Sequence, residues 1–138
     1  MQSVILDTNV VVSALIGNSI PTRIVNEYIL TKAVQLCLSQ QVYEEFVEVL
    51  ARDKFSKIPN FAAKSSIVLK KLADIAEFYE PSNRLAILPD ADDDMFLDLA
   101  MASAADILIT GNTQDFPMQQ FEQTRIATPR EYWDLYRP

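Results

Sequence analysis

Short apolar runs alternate with longer amphipathic stretches along the whole chain. Residues 2–6, Gln-Ser-Val-Ile-Leu, predict a strand that is apolar on both faces and belongs in the middle of a sheet; it ends abruptly at Asp7-Thr8-Asn9. Apolar density predicts a helix over 10–16, stopped by Gly17-Asn18-Ser19. Pro21 suits the first turn of a second helix, over 21–32, whose apolar face is Ile24, Val25, Tyr28 and Ile29. A second strand is expected over 34–38, with Ser39 capping a helix over 40–52. After a broken turn at 55–59, a long helix is expected over 61–80, with Ile67, Val68, Leu72, Ile75 and Ala76 at helical spacing. A third apolar segment, 84–88, delivers an acidic run into a helix over 93–105, and 106–110 forms a further strand stopped by Gly111-Asn112. Residues 113–121 are irregular and 124–127 suit an edge strand. Thr128-Pro129 then opens a C-terminal helix, the threonine as cap and the proline at its first position.

Strands alternating with helices predict an α/β fold, a parallel sheet of four or five strands wrapped by helices, in one domain spanning 1–138. In such sheets ligands bind beyond the carboxyl ends of the strands. Asp7, the run Asp90 to Asp94, and Asn112 with Asp115 all fall just after strands, so three polar clusters are expected at one sheet edge.

Composition narrows the chemistry. At 138 residues and 49% apolar, the chain is long enough for one core and too short for two. No apolar run approaches the roughly 18 residues of a membrane span, and no basic leader with a cleavable apolar segment opens the chain; a soluble, cytoplasmic protein with no membrane partner is expected. The lone Cys37, in an apolar stretch, reads as buried filler. The absence of histidine removes Ser-His-Asp triads, His-ligated zinc and imidazole bases together. A net charge of −7 argues against non-specific nucleic-acid binding by the whole surface, yet six of the twelve basic residues (Arg52, Lys54, Lys57, Lys64, Lys70, Lys71) fall in one segment. That segment supplies the one candidate phosphate-tracking surface, although any single lysine in it is more simply a solvated helix position.

The acids themselves differ. Asp7 ends a strand and serves equally well as a helix cap or as a group held for chemistry, with Thr8 and Asn9 beside it to orient it. On the helix from Gln40, Val42, Phe46, Val49 and Leu50 define the buried stripe. Glu45 borders that stripe, whereas Glu44 and Glu48 point away. Five aspartates (Asp90, Asp92, Asp93, Asp94, Asp98) occupy nine residues. One or two are explained as cap and helix-dipole partners, leaving the rest in need of a counter-charge, and Asp94 with Asp98 repel at i, i+4 by about 0.2–0.5 kcal/mol. Carboxylates gathered without histidine or cysteine are hard oxygen ligands suited to Mg²⁺ or Mn²⁺, which two-metal sites use for phosphodiester displacement.

With these clusters in order, ILDTNVVVSAL, YEEFVEVL, DADDDMFLDLA and ILITGNTQDFP, the chain resembles the PIN domain family from end to end. The pattern is similar to that of the toxin halves of prokaryotic toxin–antitoxin pairs. The resemblance implies a three-layer α/β/α fold related to the 5′-nucleases, Mg²⁺- or Mn²⁺-dependent ribonuclease activity on RNA, a homodimer and a cognate antitoxin protein. Carried over by position, it implies Asp7, Glu45, Asp93 and Asp115 as catalytic acids, with Asp94 the alternative register for Asp93. Asp7, Asp93, Asp115 and Asn112 become metal ligands, and Thr8, Asn9, Asp94, Asp98 and Thr110 support them. The family usually has an acid directly after Thr-Gly; here Asn112 stands there, so a decayed module that binds RNA or protein is the alternative. A phosphatase or receiver-like phospho-acceptor is disfavoured: Asp7-Thr8-Asn9 lacks a second acid, and no lysine follows Lys71.

Overall fold

The computed structural model describes residues 1–82, 93–113, 116 and 118–138. β1 (Ser3–Leu6) is followed by α1 (Thr8–Ile16) and α2 (Ile20–Ile24), the latter continuing as a π-helical turn, Val25–Ile29. β2 (Gln35–Ser39) runs directly into α3 (Gln40–Leu50), whose N-terminus the Ser39 hydroxyl caps by accepting from the Val42 N–H at 3.1 Å. A 3₁₀ turn (Asp53–Phe55), α4 (Phe61–Ile75) and β3 (Glu77–Tyr79) come next. The remainder is α5 (Asp94–Ser103), β4 (Ile107–Ile109), β5 (Gln120–Phe121), β6 (Thr124–Ala127) and α6 (Pro129–Glu131), which continues as a π-helical turn, Tyr132–Tyr136.

These strands make one sheet in the order β3-β2-β1-β4-β6-β5, parallel except for the β5–β6 pair. Successive residues of a strand face opposite sides of a sheet. Val4, Ile5 and Leu6, Leu36, Cys37 and Leu38, and Ile107, Leu108 and Ile109 are all buried, so helices cover both faces and the fold is three-layered α/β/α. From β1 the chain builds outward to β2 and β3, then crosses to β4 on the other side. The gap between the carboxyl ends of β1 and β4 is therefore the switch point where such folds place ligands.

Several expectations are corrected. The helix expected over 61–80 ends at Ile75: Ala76 turns extended, and Glu77–Tyr79 pairs with β2 as an edge strand. Its buried face is Phe61, Ser65, Leu69 and Leu72, while Ile67 is 57% exposed, because the helix presents the 61/65/69/72 stripe to its neighbours. Residues 124–127 form a strand as expected, but an interior one, since the two-residue β5 pairs outside it. Among the described residues the sheet has six strands; β3 lies on an exposed edge and β5 is two residues long, so neither stands out in the hydrophobic pattern. The apolar segment 84–88 lies outside the described residues.

Candidate active site

Asp7 lies at the carboxyl end of β1, where its backbone N–H donates to Ile109 O at 3.0 Å and ties it to β4. The helix-capping role expected of it is present, and a second bond holds its remaining oxygen. One carboxylate oxygen, Oδ1, accepts from the Val10 N–H at 3.0 Å and caps α1, so the helix begins at Thr8 rather than Val10. The other, Oδ2, accepts from the hydroxyl of Thr110, which is fully buried at the end of β4. One carboxylate thus bridges the switch point from both strands.

The next residue, Thr8, donates its hydroxyl to Glu45 Oε2 at 2.5 Å. Glu45 sits half-buried on α3, beside the Val42, Phe46, Val49 and Leu50 stripe. This bond fixes a glutamate that would otherwise snorkel outward, and it links the first and second β-α units. Asp93 occupies the N-cap position of α5 with helical backbone angles and makes no capping hydrogen bond. Instead it lines the same cleft as Asp7 and Glu45.

That cleft, of about 250 Å³, is walled by Asp7, Thr8, Asn9, Glu45, Arg52, Lys54 and Asp93, with Val12, Val49, Phe55 and Phe96 beneath. Two cations therefore stand among three acids. Arg52 reaches Glu48 at 3.2 Å in an exposed i, i+4 pair, which contributes no more than about 1 kcal/mol and yields readily to another anion. Lys54 Nζ lies 5.2 Å from the centre of the Phe55 ring.

The other expected residues lie elsewhere. Asn112 is exposed and does not wall the cleft; its backbone N–H donates to Thr110 Oγ1 at 3.1 Å, one bond removed from Asp7. Asp94 and Asp98 are buried on α5 outside the cleft, and Asp98 instead borders a groove with Ser39, Gln40 and Tyr79. Lys64 donates to Leu15 O at 3.2 Å and Lys70 pairs with Asp74 at 3.2 Å, while Lys57 and Lys71 are exposed away from the cleft. Only Arg52 and Lys54 of the basic segment reach it: they lie in the turn directly after α3, whereas Lys57 comes later in the loop and Lys64, Lys70 and Lys71 ride on α4. Asp90, Asp92 and Asp115 lie outside the described residues.

The donors around the cleft are carboxylate, amide and hydroxyl oxygens, a hard set whose chemistry suits Mg²⁺ or Mn²⁺. Among the described residues, no group of three or more acidic, histidine or cysteine side chains is close enough together to hold a metal ion. Phe55 and Phe96, which line the site, were missed by sequence reasoning: Phe55 falls in the turn expected over 55–59 and Phe96 within the helix expected over 93–105.

No helix among the described residues is long and apolar enough to cross a membrane. A family model described as PIN domain matches residues 3–114. No curated protein matches the chain.

Proposed function

The chain belongs to the PIN domain family, whose members are generally nucleases using divalent metal ions, and from that premise we propose that it is a Mg²⁺- or Mn²⁺-dependent endoribonuclease. The observation that carries the proposal is the cleft where Asp7, Glu45 and Asp93, from three different β-α units, stand beside Arg52 and Lys54. Acids alone would repel a nucleic acid; cations at the same cleft offset the charge of a phosphodiester.

Asp7 and Asp93 would hold the ion, with Asp115 completing the set and the Asn112 carboxamide contributing through a water. When bound, the ion supplies a Lewis acid for the phosphoryl oxygens and lowers the pKa of a water. The side chains do the positioning. Helix α1 and Thr110 fix both oxygens of Asp7, and Thr8 holds Glu45 Oε2, leaving Oε1 to take a proton from the attacking water. Arg52 and Lys54 grip the phosphate, and Asn9 orients the ribose-phosphate chain from the exposed rim. The biological setting we propose is the toxin half of a toxin–antitoxin pair, a cytoplasmic homodimer silenced by a cognate antitoxin protein.

A second proposal, a module that binds RNA or protein without cutting, is favoured by Asn112 in place of an acid and by the acids being spread apart among the described residues. One experiment separates them. Single-stranded RNA is incubated with the protein and Mg²⁺ or Mn²⁺, with and without EDTA, alongside Asp7→Asn and Asp93→Asn. Cleavage abolished by EDTA and by each substitution is expected; cleavage indifferent to all three would refute the nuclease assignment, and RNA binding without cleavage would favour the module.

A further inference from the structure

A second cleft, of about 300 Å³, opens beside the acid-lined one and shares two of its walls, Arg52 and Phe55. Its floor is apolar: Leu50, Phe55 and Phe61 are buried there, the two phenyl rings stacked at 4.9 Å with 19° between their planes. Its rim is polar, formed by Arg52, Asp53, Ser56 and Asn60, and its far wall is Ala62 and Ala63, exposed small residues in the first turn of α4. An apolar slot with a few polar groups at its mouth, at the small end of the roughly 300–1,000 Å³ range of ligand pockets, suits a flat, compact ligand with hydrogen-bonding edges.

We propose that this cleft is a nucleobase subsite, seating one unpaired base of the RNA strand next to the bond that is cut. The proposal rests on the nuclease assignment for its link to cleavage, and on the cleft itself for its ligand. Each rim group matches an edge of a base. The Asp53 carboxylate accepts from amino and imino groups; Arg52 offers a planar donor fork to ring nitrogens and carbonyls; the Ser56 hydroxyl donates to Asp53 O at 2.7 Å and keeps its lone pairs for a donor. Asn60 is the most telling. It holds a left-handed backbone, φ 61°, at the N-cap of α4, yet its side chain makes no capping hydrogen bond. Its carboxamide, both donor and acceptor, stands at the cleft rim instead. Because Arg52 faces both clefts, a base in one and its phosphate in the other would share one guanidinium, fixing the strand's register and giving cleavage a base preference.

The test needs no cleavage. Nucleoside 5′-monophosphates and ribose 5-phosphate are titrated into ¹⁵N-labelled protein in EDTA, and perturbed backbone amides are mapped. Nucleotides are expected to shift amides across residues 50–63 saturably, and ribose 5-phosphate to bind at least about tenfold more weakly, the order of one base–protein stacking contact. Ala63→Leu, which fills the slot from an exposed helical position, is expected to weaken nucleotide binding at least about fivefold; Asp53→Ala, which removes the rim carboxylate without obstructing the slot, is expected to weaken it as well, with far-UV circular dichroism confirming the fold of both. Equal binding of ribose 5-phosphate and nucleotides, shifts centred elsewhere, or affinities unchanged in both variants would overturn the proposal and leave the slot fit for an apolar side chain of a protein partner. Base-dependent binding without RNA cleavage would sustain the subsite and sink the nuclease assignment; cleavage without base-dependent binding would do the reverse.

Discussion

Replacing Thr110 by valine tests the link on which the candidate site is hung. Thr110 is fully buried and valine has nearly its shape, so the substitution opens no cavity and its cost is that of the hydroxyl alone. Two bonds are lost. The one to Asp7 Oδ2 has a carboxylate acceptor, and hydrogen bonds to charged groups contribute about 1.5–3 kcal/mol. The bond from the Asn112 N–H is lost on an exposed residue where water can replace it, and adds little. A loss of about 2–3 kcal/mol in urea unfolding, with an unchanged m-value, is therefore expected. Thr124→Val is the matched control. Thr124 is equally buried, but its hydroxyl donates to the uncharged carbonyl of Ala105 at 2.7 Å, so about 1 kcal/mol is expected. RNA cleavage should fall at least about tenfold in Thr110→Val and stay near wild type in Thr124→Val, since only the former loosens Asp7. Equal destabilisation by the two substitutions would refute the special standing of the Asp7 bond, whatever the activity.

Alkaline stability should follow Tyr132, whose phenol burial pushes up from 10.0 to about 12 and whose hydroxyl donates to Gln2 Oε1 at 2.7 Å. Its contribution is complete below pH 10 and lost as pH rises through 12, about 2–3 kcal/mol in all; Tyr132→Phe should flatten that limb in urea melts taken from pH 9 to 12, and an unaltered limb would count against it. Ala104 ends α5 in the left-handed region at φ 50°, so Ala104→Gly should raise stability by about 1 kcal/mol, and a lower melting temperature would contradict the strain. Burial pushes the Cys37 thiol up to about 11, so a disulfide reagent at pH 8 should label it only after unfolding; prompt labelling of the native protein would show that the strand opens locally.

Much of the fold was legible because its signals are local. β1 and β2 are apolar at successive positions, and Ser39 and Thr128 cap helices through their own hydroxyls. Glu45 was separable from Glu44 and Glu48 by helical geometry alone. Local patterning failed where pairing decides. Glu77–Tyr79 continues a helical-looking stretch and becomes a strand only because the edge of β2 is there to receive it.

The sequence by itself determined the alternation of strands and helices, the hard-oxygen donor set of a chain without histidine, that Asp7 ends a strand, and that Glu45 borders the buried stripe of the helix after the next one. Only the tertiary structure decided which of the acids meet. Asp7 is held between Val10 and Thr110, one hundred positions apart in sequence; Glu45 is fixed by Thr8; and two of six clustered cations reach the cleft while four do not. Spacing along a chain sets which face of an element a residue occupies, but the distance between residues of different elements is set by how the helices pack on the sheet, which no local pattern encodes.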